Sequence, residues 1–295
     1  MTHADDFTGG TDVTGGIDFT GRVVIVTGGA RGIGRGIAEA FLAAGADVTV
    51  CGRSEPAADT LPSGGGRRAV FVTADVRDAD QAAAVVSATV ERRGRLDVLV
   101  NNAGGSPAVA AADASARFVS QVVALNLLAP FFCAQAANAV MQTADGGSIV
   151  NIGSVSGLRP SPGTAAYGAA KAGLVNLTRT LAVEWAPKVR VNCVVAGMVA
   201  TEAADDHYGG PAGLAAVEAT VPLGRMGTPA DVAGACLFLA SPLASYVSGA
   251  ALEVHGGGEV PAFLTALGRS ATGPARPAPG GGGQASSGAP ARGVL

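Results

Sequence analysis

Short β-branched runs alternate with longer Ala-rich stretches through most of the chain. The runs Val23–Val26, Val48–Val50, Val70–Val72, Val98–Val100, Ser148–Ile152, Val189–Val194 and Ala251–Val254 read as strands. The stretches 33–44, 79–93, 116–142, 164–186 and 229–240 read as helices. Alternation of this kind predicts an α/β fold: one doubly wound parallel sheet of about seven strands, flanked by helices on both faces. Ligands of such sheets bind at the carboxyl ends of the strands, so the loops after those runs hold the candidate chemistry.

The pattern fades at both ends. Residues 1–20 are rich in Thr, Gly and Asp and read as a flexible leader. Asp5 and Asp6 stand there and no apolar core follows, unlike a secretory signal. Residues 265–295 are dominated by Gly, Pro, Ala and Ser, including Gly280 to Gly283, and read as a disordered tail. That leaves 21–264 as a single folded body. Val122 to Met141 is almost wholly apolar and nearly long enough to cross a bilayer. Asn126, Gln135 and Asn138 interrupt it and Pro130 sits inside, so it reads as a buried helix at a subunit interface.

Composition narrows the function. Hydrophobic residues make up 48% of the 295 and charged residues 15%, enough for a sizeable core. The net charge is −3 and no run of Lys or Arg forms a nucleic-acid footprint. Cys51, Cys133, Cys193 and Cys236 are scattered in apolar surroundings and no C-x-x-C pair exists. The histidines, His3, His207 and His255, do not cluster. These features predict buried thiols in a reducing, cytoplasmic compartment and no metal site.

Tyr167-Gly-Ala-Ala-Lys171 carries the most suggestive chemistry. A four-residue step on a helix puts the phenol and the ammonium on one face. Such pairs are common in helices as a packed ring beside a solvated amine. A phenol of pKa about 10 is a poor base at neutral pH, and a nearby ammonium favours its ionised form. Ser154, thirteen residues before Tyr167, places a hydroxyl that could hold a carbonyl or alcohol oxygen. The three together describe an acid/base site for interconverting an alcohol and a ketone. Such a site needs a hydride carrier.

The first strand runs into Gly28-Gly-Ala-Arg31-Gly32-Ile33-Gly34, ahead of a helix. Glycines there permit a tight turn and let the backbone approach a pyrophosphate at the helix N-terminus. The spacing is Gly-x-x-x-Gly-x-Gly rather than the common G-x-G-x-x-G. At the end of the second strand, an acidic residue would bind a ribose 2′-hydroxyl and an Arg would accommodate a 2′-phosphate. Gly52 and Arg53 stand there, and Arg31 adds a second cation. This predicts NADP(H) as the cofactor, with NAD(H) the other candidate.

The glycine turn, Asn101-Asn102-Ala103-Gly104 and Tyr167-x-x-x-Lys171, taken in order, resemble the short-chain dehydrogenase/reductase family. Asp75-Val76, Asn126 in Leu125-Asn126-Leu127, and Ser154 in Gly153-Ser154-Val155-Ser156 extend the match, which covers about 22–258. The resemblance implies a Rossmann-type sheet and an NAD(P)(H)-dependent oxidoreductase. It implies Tyr167 as the acid/base, with Lys171 lowering the phenol pKa and holding the nicotinamide ribose. Ser154 would bind the substrate oxygen, with Ser156 the rival, and Asn126 would anchor a water in a proton relay. Asn102, Ala103 and Gly104 would line the adenosine ribose, Asp75 and Val76 the adenine, and Val199 and Thr201 the carboxamide. It also implies a homodimer or homotetramer.

Two departures from that pattern stand out. Ala196-Gly197 replaces the family's usual Pro-Gly, and His255 stands where Asp is common. Substrate choice falls to Gly105–Phe118, Leu158–Gly163 and Glu202–Met226, the last being where relatives carry a lid. Pro160, Pro162, Leu214, Val217 and Leu223 make these stretches apolar, and His207 and Tyr208 could touch substrate. They predict an apolar ketone or alcohol, such as a steroid-like ring ketone or an acyl derivative. A 3-oxoacyl thioester reductase is the narrower alternative, with Arg117 and Arg159 to meet an acidic carrier. A non-catalytic NADP(H)-binding scaffold or redox sensor is the alternative outside enzymes.

Overall fold

The computed structural model describes residues 17–202, 204 and 208–262. Nine strands are present among them: β1 Val23–Thr27, β2 Asp47–Gly52, β3 Ser63–Gly64, β4 Arg67–Arg68, β5 Val70–Thr73, β6 Val98–Asn101, β7 Gly147–Ser154, β8 Val189–Ala196 and β9 Ala251–Val254. The helices are α1 Gly32–Ala43, α2 Ala79–Arg93, α3 Ala116–Val123, α4 Ala129–Thr143, α5 Ala165–Glu184, α6 Gly210–Glu218 and α7 Pro229–Ala240. Seven strands form one sheet in the order β5-β2-β1-β6-β7-β8-β9, every pair parallel. The other two, β3 and β4, form a small antiparallel pair absent from the hydrophobic pattern. The sheet strands are those the pattern predicts, because parallel strands covered on both faces are continuous apolar runs.

Side chains alternate between two cores. Val24 and Val26 of β1 pack with Ile37 and Phe41 of α1 and Val232 of α7. Ile25 points the other way, among Val85 of α2, Ala134 of α4 and Leu181 of α5. The chain runs outward from β1 through β2 to β5, then returns to lay β6 on the other side of β1. That reversal opens a crevice beyond the carboxyl ends of β1 and β6, the place where this architecture binds ligands.

One reading needs correction, and others gain detail. The ordered chain starts before residue 21: Phe19 is buried and stacks edge-on against Phe41, with ring centroids 4.8 Å apart. The rest of the leader and nearly all of the tail lie outside the described residues. The predicted helix 116–142 forms as one helical run, Ala116–Thr143, with a π turn at Ala124–Leu128 between α3 and α4. Pro130 has no N–H to give the carbonyl four residues back, so the wider turn relieves the loss. Within one chain, 33% of the most apolar window in 116–143 is buried. In the variable stretch 202–226, where no helix is predicted, α6 forms at Gly210–Glu218.

Candidate active site

The glycine turn is shaped by close packing. Gly28 has φ +64°, and its N–H donates to Cys51 O at 2.9 Å. A Cβ on Gly34 would stand 2.3 Å from Asn102 Nδ2 and 2.5 Å from Gly28 O. Asn102 locks the turn: its Nδ2 donates to Thr27 O at 2.9 Å, while Thr27 Oγ1 accepts from the N–H groups of Asn102 and Ala103 at 3.0 Å. Asn102 and Ala103 therefore hold the glycine turn itself, a job the sequence did not reveal. Ile33, in the first turn of α1, is partly buried against the core behind it. The N-cap residue of α1, Arg31, makes no side-chain capping bond, so its own cap leaves the helix N-terminus open to an outside acceptor. A turn with no room for side chains, before a helix without a cap of its own, fits a dinucleotide pyrophosphate.

The adenosine corner carries positive charge. Arg53 is exposed at the end of β2, beside the partly buried Gly52. Its charge helps hold the Asp75 carboxyl below the usual range, but the largest cause is Arg77. Arg77 Nε donates to Asp75 Oδ1 at 2.9 Å in a two-pronged ion pair. Sequence reading missed Arg77. The Val76 side chain is buried in the core.

At the other end, β7 delivers Ser154 and α5 delivers Tyr167 and Lys171. Two glycines make this approach close. A Cβ on Gly157 would stand 2.8 Å from Ala172 N, and one on Gly168 2.7 Å from Ser156 O. The short turn after Ser154 can thus lie flat against α5. The Ser154 hydroxyl stands close enough to Tyr167 to favour its ionised form. Ser154 Oγ also accepts from Ser156 N at 3.2 Å, whereas the Ser156 hydroxyl turns away to Ser161 at 3.2 Å. Lys171 is fully buried, its Nζ donating to Ile152 O at 2.7 Å and lying 5.6 Å from the Tyr167 ring centroid.

The electrostatics differ from the sequence expectation. The Tyr167 phenol is pushed up rather than down, because its burial outweighs the Ser154 hydrogen bond, with Tyr208 pushing the same way. Burial pushes the Lys171 ammonium down to about 8, so that charge is itself costly to hold.

Asn126 sits in the π turn, fully buried. Its Nδ2 donates to Gly105 O and Val122 O, and its Oδ1 accepts from Gly105 N, all at 2.9 Å. A Cβ on Gly104 would come 2.8 Å from Asn126 Oδ1 and 3.2 Å from Lys171 Nζ. Gly104 is therefore the gap through which Asn126 and Lys171 approach each other.

Beyond β8, Gly197 donates to Val254 O at 3.0 Å, and its Cβ would strike His255 at 2.6 Å. Pairing with β9 thus steadies the turn where Ala196 replaces proline. His255 lies 2.5 Å from Glu253 and supports this packing. Val199 bridges to Gly227, while Thr201 lies beside Gly32 at the glycine turn. On the substrate side, Tyr208 donates to Met198 Sδ at 3.4 Å, and Arg159 pairs with Glu259. His207 lies outside the described residues. A cavity of about 250 Å³ is lined by Ser106, Val109, Phe118, Gly163 and Ala166, joining two of the three variable stretches. Among the described residues no cluster of His, Cys, Asp and Glu could hold a metal.

A family model described as enoyl-(acyl carrier protein) reductase matches residues 28–259. A 3-oxoacyl-[acyl-carrier-protein] reductase of Synechocystis sp. is 37% identical over 242 residues, covering 80% of this chain and 96% of the relative. The 2-(S)-hydroxypropyl-CoM dehydrogenase 3 of Xanthobacter autotrophicus is 40% identical over 244 residues, covering 80% and 95%. A solved structure from Beutenbergia cavernae, assigned as an NAD(P)-dependent gluconate 5-dehydrogenase and holding NADP at low occupancy, superposes with a TM-score of 0.77. It is 37% identical, and the likeness covers 82% of this chain and 98% of that one.

Proposed function

The chain belongs to the short-chain dehydrogenase/reductase family of oxidoreductases, and on that footing we propose that it interconverts a secondary alcohol and a ketone at Ser154 and Tyr167. The observation that carries this reading is the convergence of Ser154 and Tyr167 on a buried Lys171, whose Nζ lies 5.6 Å from the Tyr167 ring centroid and donates to Ile152 O. A nicotinamide dinucleotide, when bound, supplies or takes up the hydride. Tyr167 moves the proton at the substrate oxygen, and Ser154 steadies the charge that develops there. Burial keeps the phenol protonated at neutral pH, so the resting protein is ready to donate in the reductive direction. Lys171 holds the nicotinamide ribose, and Asn126 fixes the Gly105 loop and anchors the proton relay. Gly28, Arg31, Gly32, Ile33 and Gly34 would take the pyrophosphate side. Asn102, Ala103 and Gly104 would border the ribose, and Val199 and Thr201 the carboxamide.

NADP(H) is the favoured cofactor. Arg53 is free to meet a 2′-phosphate, no acid stands at Gly52, and Arg77 neutralises Asp75. The cavity beside Ala166 favours an apolar ketone, steroid-like or acyl. The named 3-oxoacyl reductase supports the thioester alternative. Against it, Arg159 is already paired with Glu259 and is a poor seat for an acidic carrier. A scaffold without turnover fits poorly, since Asn126, Ser154, Tyr167 and Lys171 are all in place. Val119 and Leu128 are exposed on the apolar 116–143 run, which supports a homodimer or homotetramer built there. Free, buried thiols fit a cytoplasmic location. A panel of ketones and alcohols, followed at the NAD(P)H absorbance band with both cofactors, tests the reading. Turnover of apolar ketones with NADPH is expected; turnover of small polar sugars alone would refute the substrate class.

A further inference from the structure

Three helices of this fold are capped by a side chain at their own N-cap. Asp78, Ser115 and Thr228 stand at the N-caps of α2, α3 and α7, and each side chain accepts from its own helix. The first turn of α1 has no such cap and no acidic residue of its own. Its Gly32 N–H instead donates to Glu202 Oε1 at 2.8 Å, a carboxylate brought from 170 residues away by the loop beyond β8. Thr201 of the same loop packs beside Gly32, its methyl 3.7 Å from where a Cβ would stand. Glu202 is exposed, and no ion pair holds it among the described residues. Its departure from the helix therefore breaks little else.

We propose that Glu202 is an internal occupant of the anion seat at the N-terminus of α1, which a dinucleotide pyrophosphate must displace in order to dock. The proposal rests on the cofactor reading above. A helix N-terminus attracts either anion through the same N–H groups and the same dipole end, so one seat is contested by two negative groups. Displacement frees Glu202 from the glycine turn. A merely structural cap would make no such competition.

The test is the NADPH dissociation constant of the purified protein, read by nucleotide fluorescence, for wild type, Glu202→Gln and Glu202→Ala. Glutamine keeps an acceptor and removes the charge; alanine removes both. Both variants should bind NADPH about two- to fivefold more tightly at low salt, the range of a helix-terminus charge effect. The gap should narrow as salt screens the charge. Without nucleotide, Glu202→Ala should melt below wild type, so stability and affinity move in opposite directions. Affinity unchanged or weakened in both variants would overturn the proposal. Wild-type protein that binds neither NADPH nor NADH would instead remove the cofactor reading, and the proposal with it.

Discussion

The loops after β1 and β6 and the loops after β7 and β8 share one edge of the sheet, yet they are held by different means. The cofactor side is built from backbone. Gly28 and Gly34 leave no room for side chains, and Asn102 ties the turn to Thr27. The substrate side is built from side chains: a buried Lys171 against Ile152 O, Ser154 beside Tyr167, and a surface pair of Arg159 and Glu259. A backbone device tolerates no substitution and has one shape. A side-chain device can be retuned residue by residue while the sheet stays the same. The difference explains how one family keeps one cofactor site and varies its substrates.

Substitutions on each side can break or sharpen that contrast. The largest effect should come from the buried cation. The folded-state pKa of Lys171 is about 8, below its ordinary 10.5, so its ammonium costs folding at low pH and the cost fades as pH rises from 8 to 10.5. In Lys171→Met that cost is absent. The stability of the variant relative to wild type should therefore fall by on the order of 3 kcal/mol across this window, measured by chemical denaturation. A flat difference would mean that the substrate side does not bury its charge.

Gly34→Ala should come next. Its added methyl meets Asn102 and Gly28 at contacts no side chain can sustain, costing about 1–3 kcal/mol of stability. NADPH affinity should weaken at least about tenfold as the turn shifts. Native stability with native affinity would show that the turn is not backbone-limited. Arg53→Ala should be the mildest. It should lower kcat/KM for NADPH about five- to tenfold, the scale of one charge-assisted contact, and leave NADH nearly untouched. An equal fall with both cofactors would remove Arg53 from cofactor choice.

The same contrast explains what could be read before the structure. The seven sheet strands were legible because buried parallel strands are unbroken apolar runs. The glycine turn and the Tyr167–Lys171 pair were legible because they are local in the chain. What stayed hidden depends on pairs distant in sequence. Gly157 and Gly168 look like ordinary glycines until α5 packs on the Ser154 turn. Glu202 becomes informative only when Gly32, 170 residues away, is placed beside it. The π turn was half legible, since Pro130 marked a break but not its form. The direction of the Tyr167 shift was misread because desolvation depends on burial, which spacing does not encode.

The central claim is that Tyr167 carries the proton while the rest of the site holds cofactor and substrate. Tyr167→Phe, assayed with NADPH on the best ketone of the panel, tests it most directly. The phenyl ring fills the same space and lacks only the hydroxyl. The account predicts that kcat falls about a thousandfold while the NADPH dissociation constant stays near wild type. A variant that keeps more than about a tenth of wild-type kcat would contradict it, because general acid catalysis of this kind is worth at least about a hundredfold.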